Sequence, residues 1–202
     1  MTTRFGRLAL TCLALWGLVA CGSQPVPANY VWVDWTEASL KGAWGAAADV
    51  TVTYTGDLNR SCQVEPGGTV YWASHPESYR HPDTGPGPST SDVLRMYGGR
   101  DTGRQVIRFS RPVRDPIMAV MSVGQADREV RLIFETEVEI LTSGPGYWSD
   151  RFNMLRLADD RRTVHGREGY GLLRFPGTHL DIAFTIPDRE RDYGLTLAIQ
   201  EP

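Results

Sequence analysis

The sequence predicts an all-β fold: a two-sheet antiparallel β-sandwich with jelly-roll connections. Two observations carry this expectation. About a dozen short runs rich in Val, Ile, Tyr, Phe and Trp are each bounded by Gly, Pro, Asn, Asp or Ser. No stretch shows a convincing apolar period of 3.6 with capping residues at its ends. So many short strands in one domain close into a sandwich or a barrel.

The strands follow in order. Residues 30–35 (YVWVDW) are apolar on both parities, so both faces of this run are expected to be buried. Residues 49–54 (DVTVTY) alternate apolar with polar. Further runs lie at 69–73, 92–97, 105–109, 117–123, 130–134, 138–142, 154–157, 171–175, 180–186 and 195–199. Residues 117–123 (IMAVMSV) are apolar at nearly every position and read as a central strand. Ile182, Phe184 and Ile186 alternate with Ala183 and Thr185, which suits a strand with one face on the core. The best helical candidate is 37–48, rich in alanine but weakened by Gly42 and Gly45. The longest expected loop is 74–91, whose four prolines and two glycines keep it out of a sheet. Loops of that length are commonly functional or disordered.

The leader is informative in a different way. Arg4 and Arg7 precede an apolar run from Leu8 to Leu18, then small residues lead to Cys21. The run is about half the roughly 20 residues that a transmembrane helix needs. Leu18-Val19-Ala20-Cys21 resembles a bacterial lipoprotein signal, which implies cleavage before Cys21 and acylation of its thiol. The expected organisation is a signal peptide at 1–20, a lipidated tether at 21–29 and a β-sandwich at 30–202. Gly22, where an aspartate would favour inner-membrane retention, makes the outer membrane the expected site in a cell with two membranes. The alternative is an ordinary secretory signal with an incidental cysteine.

The full chain carries 21 basic and 24 acidic residues. Loss of Arg4 and Arg7 with the leader leaves 19 against 24, a formal charge of −5. That balance argues against nucleic acid as a partner. Lys41 is the only lysine, and the arginines are scattered. Of the three cysteines, Cys12 leaves with the leader and Cys21 takes lipid, so Cys62 is a lone thiol. The domain must then hold together without an internal disulfide. A buried, inert thiol is the expected state of Cys62, with a catalytic nucleophile as the sharper alternative.

Several motifs recur in the order seen in exported bacterial β-domains that often carry PEP-CTERM sorting tails. They are Val33-Asp34-Trp35-Thr36, Thr53-Tyr54-Thr55-Gly56, Ser91-Asp92-Val93-Leu94, Phe109-Ser110-Arg111-Pro112-Val113 and Asp115-Pro116-Ile117-Met118-Ala119-Val120. Ser143-Gly144-Pro145-Gly146-Tyr147-Trp148, Glu168-Gly169-Tyr170-Gly171 and Tyr193-Gly194-Leu195-Thr196 follow. The chain resembles that group over most of its length. The resemblance implies an extracytoplasmic sandwich and no established activity. The sequence ends at Glu201-Pro202 without the apolar tail of that group, so lipid at Cys21 is expected to replace it.

Candidate chemistry is sparse. The 144–148 turn (GPGYW) could hold Tyr147 and Trp148 at the domain edge, where aromatic faces stack on sugar rings and Asp150 or Arg151 could bond hydroxyls. The bland alternative is that both rings plug one end of the sandwich. Trp32, Trp35, Trp44 and Trp72 read as core. His75, His81 and Asp83 could ligate a metal, although their spacing matches no closed site. Asp159, Asp160, Glu168 and Asp181 could hold a structural calcium, against the simpler reading of a charged turn. No cofactor is otherwise expected. Glu135, Glu137 and Glu139 read as a solvated strand face, not a catalytic pair. His165 and His179 read as surface or internally satisfied residues. No nucleophile elbow, zinc-protease motif, phosphate loop or dinucleotide fingerprint is present.

The expectation is therefore a membrane-anchored, non-catalytic binding or adhesion module, for glycan or another envelope polymer. The alternatives are a polysaccharide hydrolase and a structural envelope component without a small ligand. Cys21→Ser should abolish metabolic labelling of the protein by a palmitate analogue. Persistent labelling of that variant would refute the anchor.

Overall fold

The computed structural model describes residues 29–99, 103–149 and 154–201. The first strand, β1 (Tyr30–Trp32), breaks at Val33 and resumes as β2 (Asp34–Ala38). The hairpin strands β3 (Gly42–Ala47) and β4 (Val50–Thr55) follow. After a long connection come β5 (Leu94–Gly98), β6 (Gln105–Arg114), β7 (Ile117–Val123), β8 (Val130–Phe134) and β9 (Glu139–Gly144). The last group is β10 (Arg156–Leu157), β11 (Thr163–Gly166), β12 (Gly169–Arg174), β13 (Thr178–Thr185) and β14 (Glu190–Gln200).

These strands form the expected antiparallel β-sandwich. One sheet runs β1-β14-β7-β12-β9, with β5 also paired to β14. The other runs β10-β11-β8-β13-β6-β4-β3-β2. From β6 onward the chain alternates between sheets, apart from the short β10–β11 hairpin. The order β6-β13-β8-β11 facing β7-β12-β9 is jelly-roll pairing, with β10 folded onto β11 instead of lying beside β9. β14 adds a ninth strand beside β7, and β4, β3 and β2 extend the opposite sheet.

The 30–35 run crosses between the layers. β1 pairs with β14 in one sheet and β2 with β3 in the other. At the crossing, the Val33 N–H donates to the Leu197 carbonyl at 2.7 Å and the Val33 side chain is buried. The Trp35 indole is fully buried and donates to the Thr196 hydroxyl at 3.1 Å. Both parities of this run are apolar because it serves two sheets in succession.

The main core lies between the sheets. Met118, Val120, Leu173, Leu195 and Leu197 meet Val52, Ile107, Phe109, Phe134 and Phe184 there. The opposite face of the six-stranded sheet is apolar too: Ile117, Ala119, Met121, Leu172 and Ala198 form a second cluster with Trp72 and Tyr79. This explains why every residue of β7 is buried. The cover comes from the connection after β4, which makes two 3₁₀ turns, Tyr71–Ser74 and Pro76–Tyr79. Trp72 and Tyr79 meet edge to face at 5.2 Å. The Thr142 hydroxyl donates to the Ser78 carbonyl at 2.6 Å, and the Ser78 hydroxyl to the Pro145 carbonyl at 2.8 Å. The segment expected as a long loop is thus a structured lid over the sheet.

Four local expectations are corrected. Residues 37–48 make no helix but end β2 and form β3, because Ala43, Gly45 and Ala47 face inward with a period of two. A Cβ on Gly45 would stand 2.6 Å from the Asp34 carbonyl, so close packing against the β2 bulge excludes a side chain there. Residues 69–73 enter a 3₁₀ turn and not a strand. Trp44 is not core: it is 56% exposed, on a sheet face shared with Thr53 and Arg108. Residues 135–138 form the connection between β8 and β9, not a strand. There Glu135 pairs with Arg104, and Glu137 with Arg161.

The two tryptophan environments make opposite predictions. Trp72→Ala should cost about 3–5 kcal/mol by urea denaturation, through the cavity left under the lid. Trp44→Ala should stay within about 0.5 kcal/mol of wild type. Equal losses would contradict this assignment of lid and solvent face.

Candidate functional site

After β9 the chain makes a tight turn through residues 145–149. The Gly146 and Ser149 N–H groups donate to each other's carbonyls at 2.8 and 3.0 Å. Gly146 lies against the Tyr170 ring: a Cβ would stand 2.0 Å from a ring carbon, so only glycine fits. The Trp148 N–H donates to the Tyr170 hydroxyl at 3.3 Å. That hydroxyl in turn donates to Glu168 Oε1 at 2.6 Å. With the backbone held this way, Tyr147 and Trp148 project outward and are 47% and 45% exposed. They do not plug the sandwich.

A third ring joins them from the lid. Tyr71 meets Tyr147 edge to face at 4.9 Å and lies 5.2 Å from Trp148, tilted by 33°. The Arg95 guanidinium sits 5.5 Å from the Tyr71 ring centre and 5.1 Å from that of Trp148. Arg95 comes from β5, whose neighbouring Leu94 and Met96 point into the core. It makes a two-pronged pair with Asp192: Nε donates to Oδ1 at 2.8 Å and Nη2 to Oδ2. Its Nη1 donates to the Tyr71 hydroxyl at 3.3 Å. Asn59 Nδ2 donates to Asp192 Oδ1 at 3.0 Å. The Cys62 thiol holds the Arg95 backbone, accepting from its N–H at 3.2 Å. Burial pushes the Cys62 thiol pKa up, the opposite of what a nucleophile needs.

Beside this corner lies a pocket of about 200 Å³, lined by Arg95, Ser122, Gln125, Trp148, Glu190, Arg191 and Asp192. Glu190 is 3% exposed, and burial raises its pKa above the ordinary carboxylate value. Its Oε1 accepts from the backbone N–H groups of Arg191 at 2.7 Å and Asp192 at 3.3 Å, and from Gln125 Nε2 at 3.4 Å. Its Oε2 is buried without a hydrogen bond of ordinary geometry, and the Gly124 N–H also bears on the carboxyl. Ser122 and Glu168 both hold left-handed backbone, with φ of 56° and 55°, and the Ser122 hydroxyl donates to Glu168 Oε1 at 2.7 Å. Such conformations cost about 1–3 kcal/mol each for residues with a side chain and gather at functional sites.

The other candidates are dispersed. Cys21, Asp150 and Arg151 lie outside the described residues. His75 pairs with Glu77 at 3.0 Å and His81 with Asp83 at 3.7 Å. Asp160 caps its own turn, accepting from Arg162 N, Thr163 N and the Thr163 hydroxyl. Asp181 faces Arg108. His165 pairs with Glu129, and His179 meets the Pro176 carbonyl. Among the described residues no three acidic, histidine or cysteine side chains converge as a metal site. A wider depression, about 670 Å³, lies along the β2 edge beside Asp92. Asp92 is already engaged there, accepting from Trp35 N at 3.3 Å.

Tyr147 and Trp148 were readable from the glycine-proline turn. Tyr71, Arg95, Gln125, Glu190 and Asp192 were not. The nearest signals are an arginine inside the apolar run at 93–96 (VLRM) and the charged cluster at 188–192 (DRERD) just before an apolar strand. No protein-family model, curated protein or solved structure matches the chain.

Glu190→Gln isolates the buried acid. The folded-state carboxyl holds its proton to higher pH than a free one, so the stability it contributes is present below the ordinary pKa of 4.5 and lost as pH rises through the raised value. Glu190→Gln should melt level with wild type near about pH 4 and progressively above it toward about pH 8. A gap that does not change with pH contradicts this.

Proposed function

We propose that this chain is an extracytoplasmic lipoprotein, anchored through Cys21, whose sandwich binds glycan or a related envelope polymer without catalysing a reaction. The observation that carries the binding reading is the corner where exposed Tyr147 and Trp148 meet half-buried Tyr71. A cluster of adjacent rings marks an interaction surface more than a singly exposed ring such as Trp44 does. A sugar ring offers an apolar face to stack on an aromatic and hydroxyls at its edge for the neighbouring polar groups. The Arg95–Asp192 pair holds the corner rigid, which lowers the ordering cost of binding.

Two of the carboxylates at the corner are already engaged, which leaves Glu190 without the second free acid that paired-carboxylate hydrolysis uses. Asp192 is committed to Arg95, and Glu168 accepts from both Ser122 and Tyr170. The lipoprotein-like leader and the resemblance to exported β-domains support an envelope location, with the outer membrane preferred. Among the described residues no helix is long and apolar enough to cross a membrane.

A glycan array probed with the full chain in detergent tests the reading. Binding to at least one neutral polysaccharide is expected, and Trp148→Ala should weaken it by about tenfold or more, equivalent to about 1.4 kcal/mol, at unchanged melting temperature. An array without binding defeats the proposal.

A further inference from the structure

We infer that the corner prefers an acidic glycan to a neutral one, with a uronate carboxylate held by Arg191 while the sugar face rests on Trp148. This rests on the glycan reading and names the class of polymer.

The argument starts from an exposed cation beside an exposed ring. Arg191 is exposed and lines the pocket of about 200 Å³ together with Trp148. The other guanidinium of that pocket, Arg95, is committed to both oxygens of Asp192 and to the Tyr71 hydroxyl. Among the described residues no carboxylate pairs with Arg191. A guanidinium offers its donors in a planar fork that fits a carboxylate with two parallel bonds, and it gives up water more readily than an ammonium does. A uronate carries its carboxylate at the edge of the sugar ring. Stacking that ring on Trp148 brings the carboxylate toward Arg191, whereas a neutral sugar leaves this arginine without a charged partner.

The neighbouring turns repeat the sign. Arg128 closes a turn with the pocket residue Gln125. Arg167 precedes Glu168, which is bonded by the pocket residue Ser122. Arg189 precedes Glu190. All three arginines are exposed, and among the described residues none pairs with an acid. The acids nearby are less open to a ligand. Asp188 is paired with Arg131 and Asp192 with Arg95. Glu168 is half-buried and accepts from two hydroxyls. Glu190 is buried behind Gln125 and the N–H groups of Gly124, Arg191 and Asp192. Asp127 is exposed and unpaired among the described residues. An approaching polymer therefore meets guanidinium more than carboxylate at this rim, and a matching negative charge adds attraction that salt can screen.

Calorimetric titration of the full chain in detergent tests this. The probes are glucohexaose, a galacturonate hexamer, a glucuronate hexamer and a single-stranded oligonucleotide. At low salt one uronate hexamer should bind about fivefold tighter than glucohexaose, the scale of an exposed ion pair. That preference should vanish at about 1 M salt, where charges are screened beyond about 3 Å. In Arg191→Gln the uronate should bind no tighter than glucohexaose. Arg114→Gln should keep the preference, because Arg114 adjoins Asp115 at the Tyr30 end of the sandwich. On the unaltered chain, saturation with the uronate should shift the guanidinium ¹⁵N resonance of Arg191, which decides the matter if the variant fails to fold. Equal binding of uronate and glucohexaose, a preference that survives high salt, or one that survives Arg191→Gln overturns the inference and leaves the glycan reading standing. An equal loss in Arg114→Gln, an unmoved Arg191 resonance, or tighter binding of the oligonucleotide also overturns it. No binding by any probe overturns both.

Discussion

The architecture depends on β7 having no polar face. A strand whose alternate residues are Met118 and Val120 on one side and Ile117, Ala119 and Met121 on the other must be covered twice. The second sheet covers one side. Nothing in the jelly roll covers the other, so a segment from outside the roll has to. Trp72 and Tyr79 supply the apolar surface, at about 150–250 Å² buried for each ring. The backbone that carries them is rich in proline and glycine because it must cross strands without pairing to them.

The corner is a consequence of that cover. The turn that buries Trp72 places its neighbour Tyr71 beside Arg95 and Trp148. The hydrogen bonds that fasten Ser78 to Thr142 and Pro145 tie the same lid to the turn bearing Tyr147. Arg95 then links lid, β5 and β14 through Tyr71 and Asp192. A partly buried ion pair of this kind adds little net stability, since desolvation offsets attraction. Its physical effect is positional: it fixes a planar group between two rings. The left-handed Ser122 and Glu168 and the buried Glu190 carboxyl lie in the same place. Left-handed Ala48, Asp115 and Arg161 sit in tight turns elsewhere, whereas Ser122 and Glu168 bond each other at the corner.

Short apolar or alternating runs made most strands legible, including β7 and β8 at their full lengths and β13 by its Ile182 and Phe184. Failures fell where pattern and environment diverge. The alanine-rich 37–48 segment has weak β propensity, yet the bulged β2 and the glycines of β3 admit a close hairpin that local propensity does not register. β11 was missed because Thr163–Gly166 is short and flanked by charge. Tryptophan identity alone did not separate buried Trp35 and Trp72 from exposed Trp44, because the difference lies in which sheet face meets a partner. For the site, the turn was visible as a local motif. Its partners were not: Arg95 lies 24 residues from Tyr71 and 97 from Asp192 in sequence, and the three meet only through sheet pairing and the lid. Glu190 looked like one more charge in an acidic and basic cluster, and only burial distinguishes it.

Strand direction adds a geometric consequence. β14 begins at Glu190 in the corner and ends at Gln200, opposite Tyr30. The Glu201 N–H donates to the Asn29 carbonyl at 2.9 Å, so the described chain begins at that far end. Ten steps along a strand at about 3.3 Å each separate the two ends by about 33 Å. An anchor at Cys21 would attach at the Asn29 end. The corner would then lie at the end of the domain remote from that attachment. β7, buried along its whole length, pairs with β14 from Gly194 to Ala198, so the strand that joins the two ends runs through the core of the sheet.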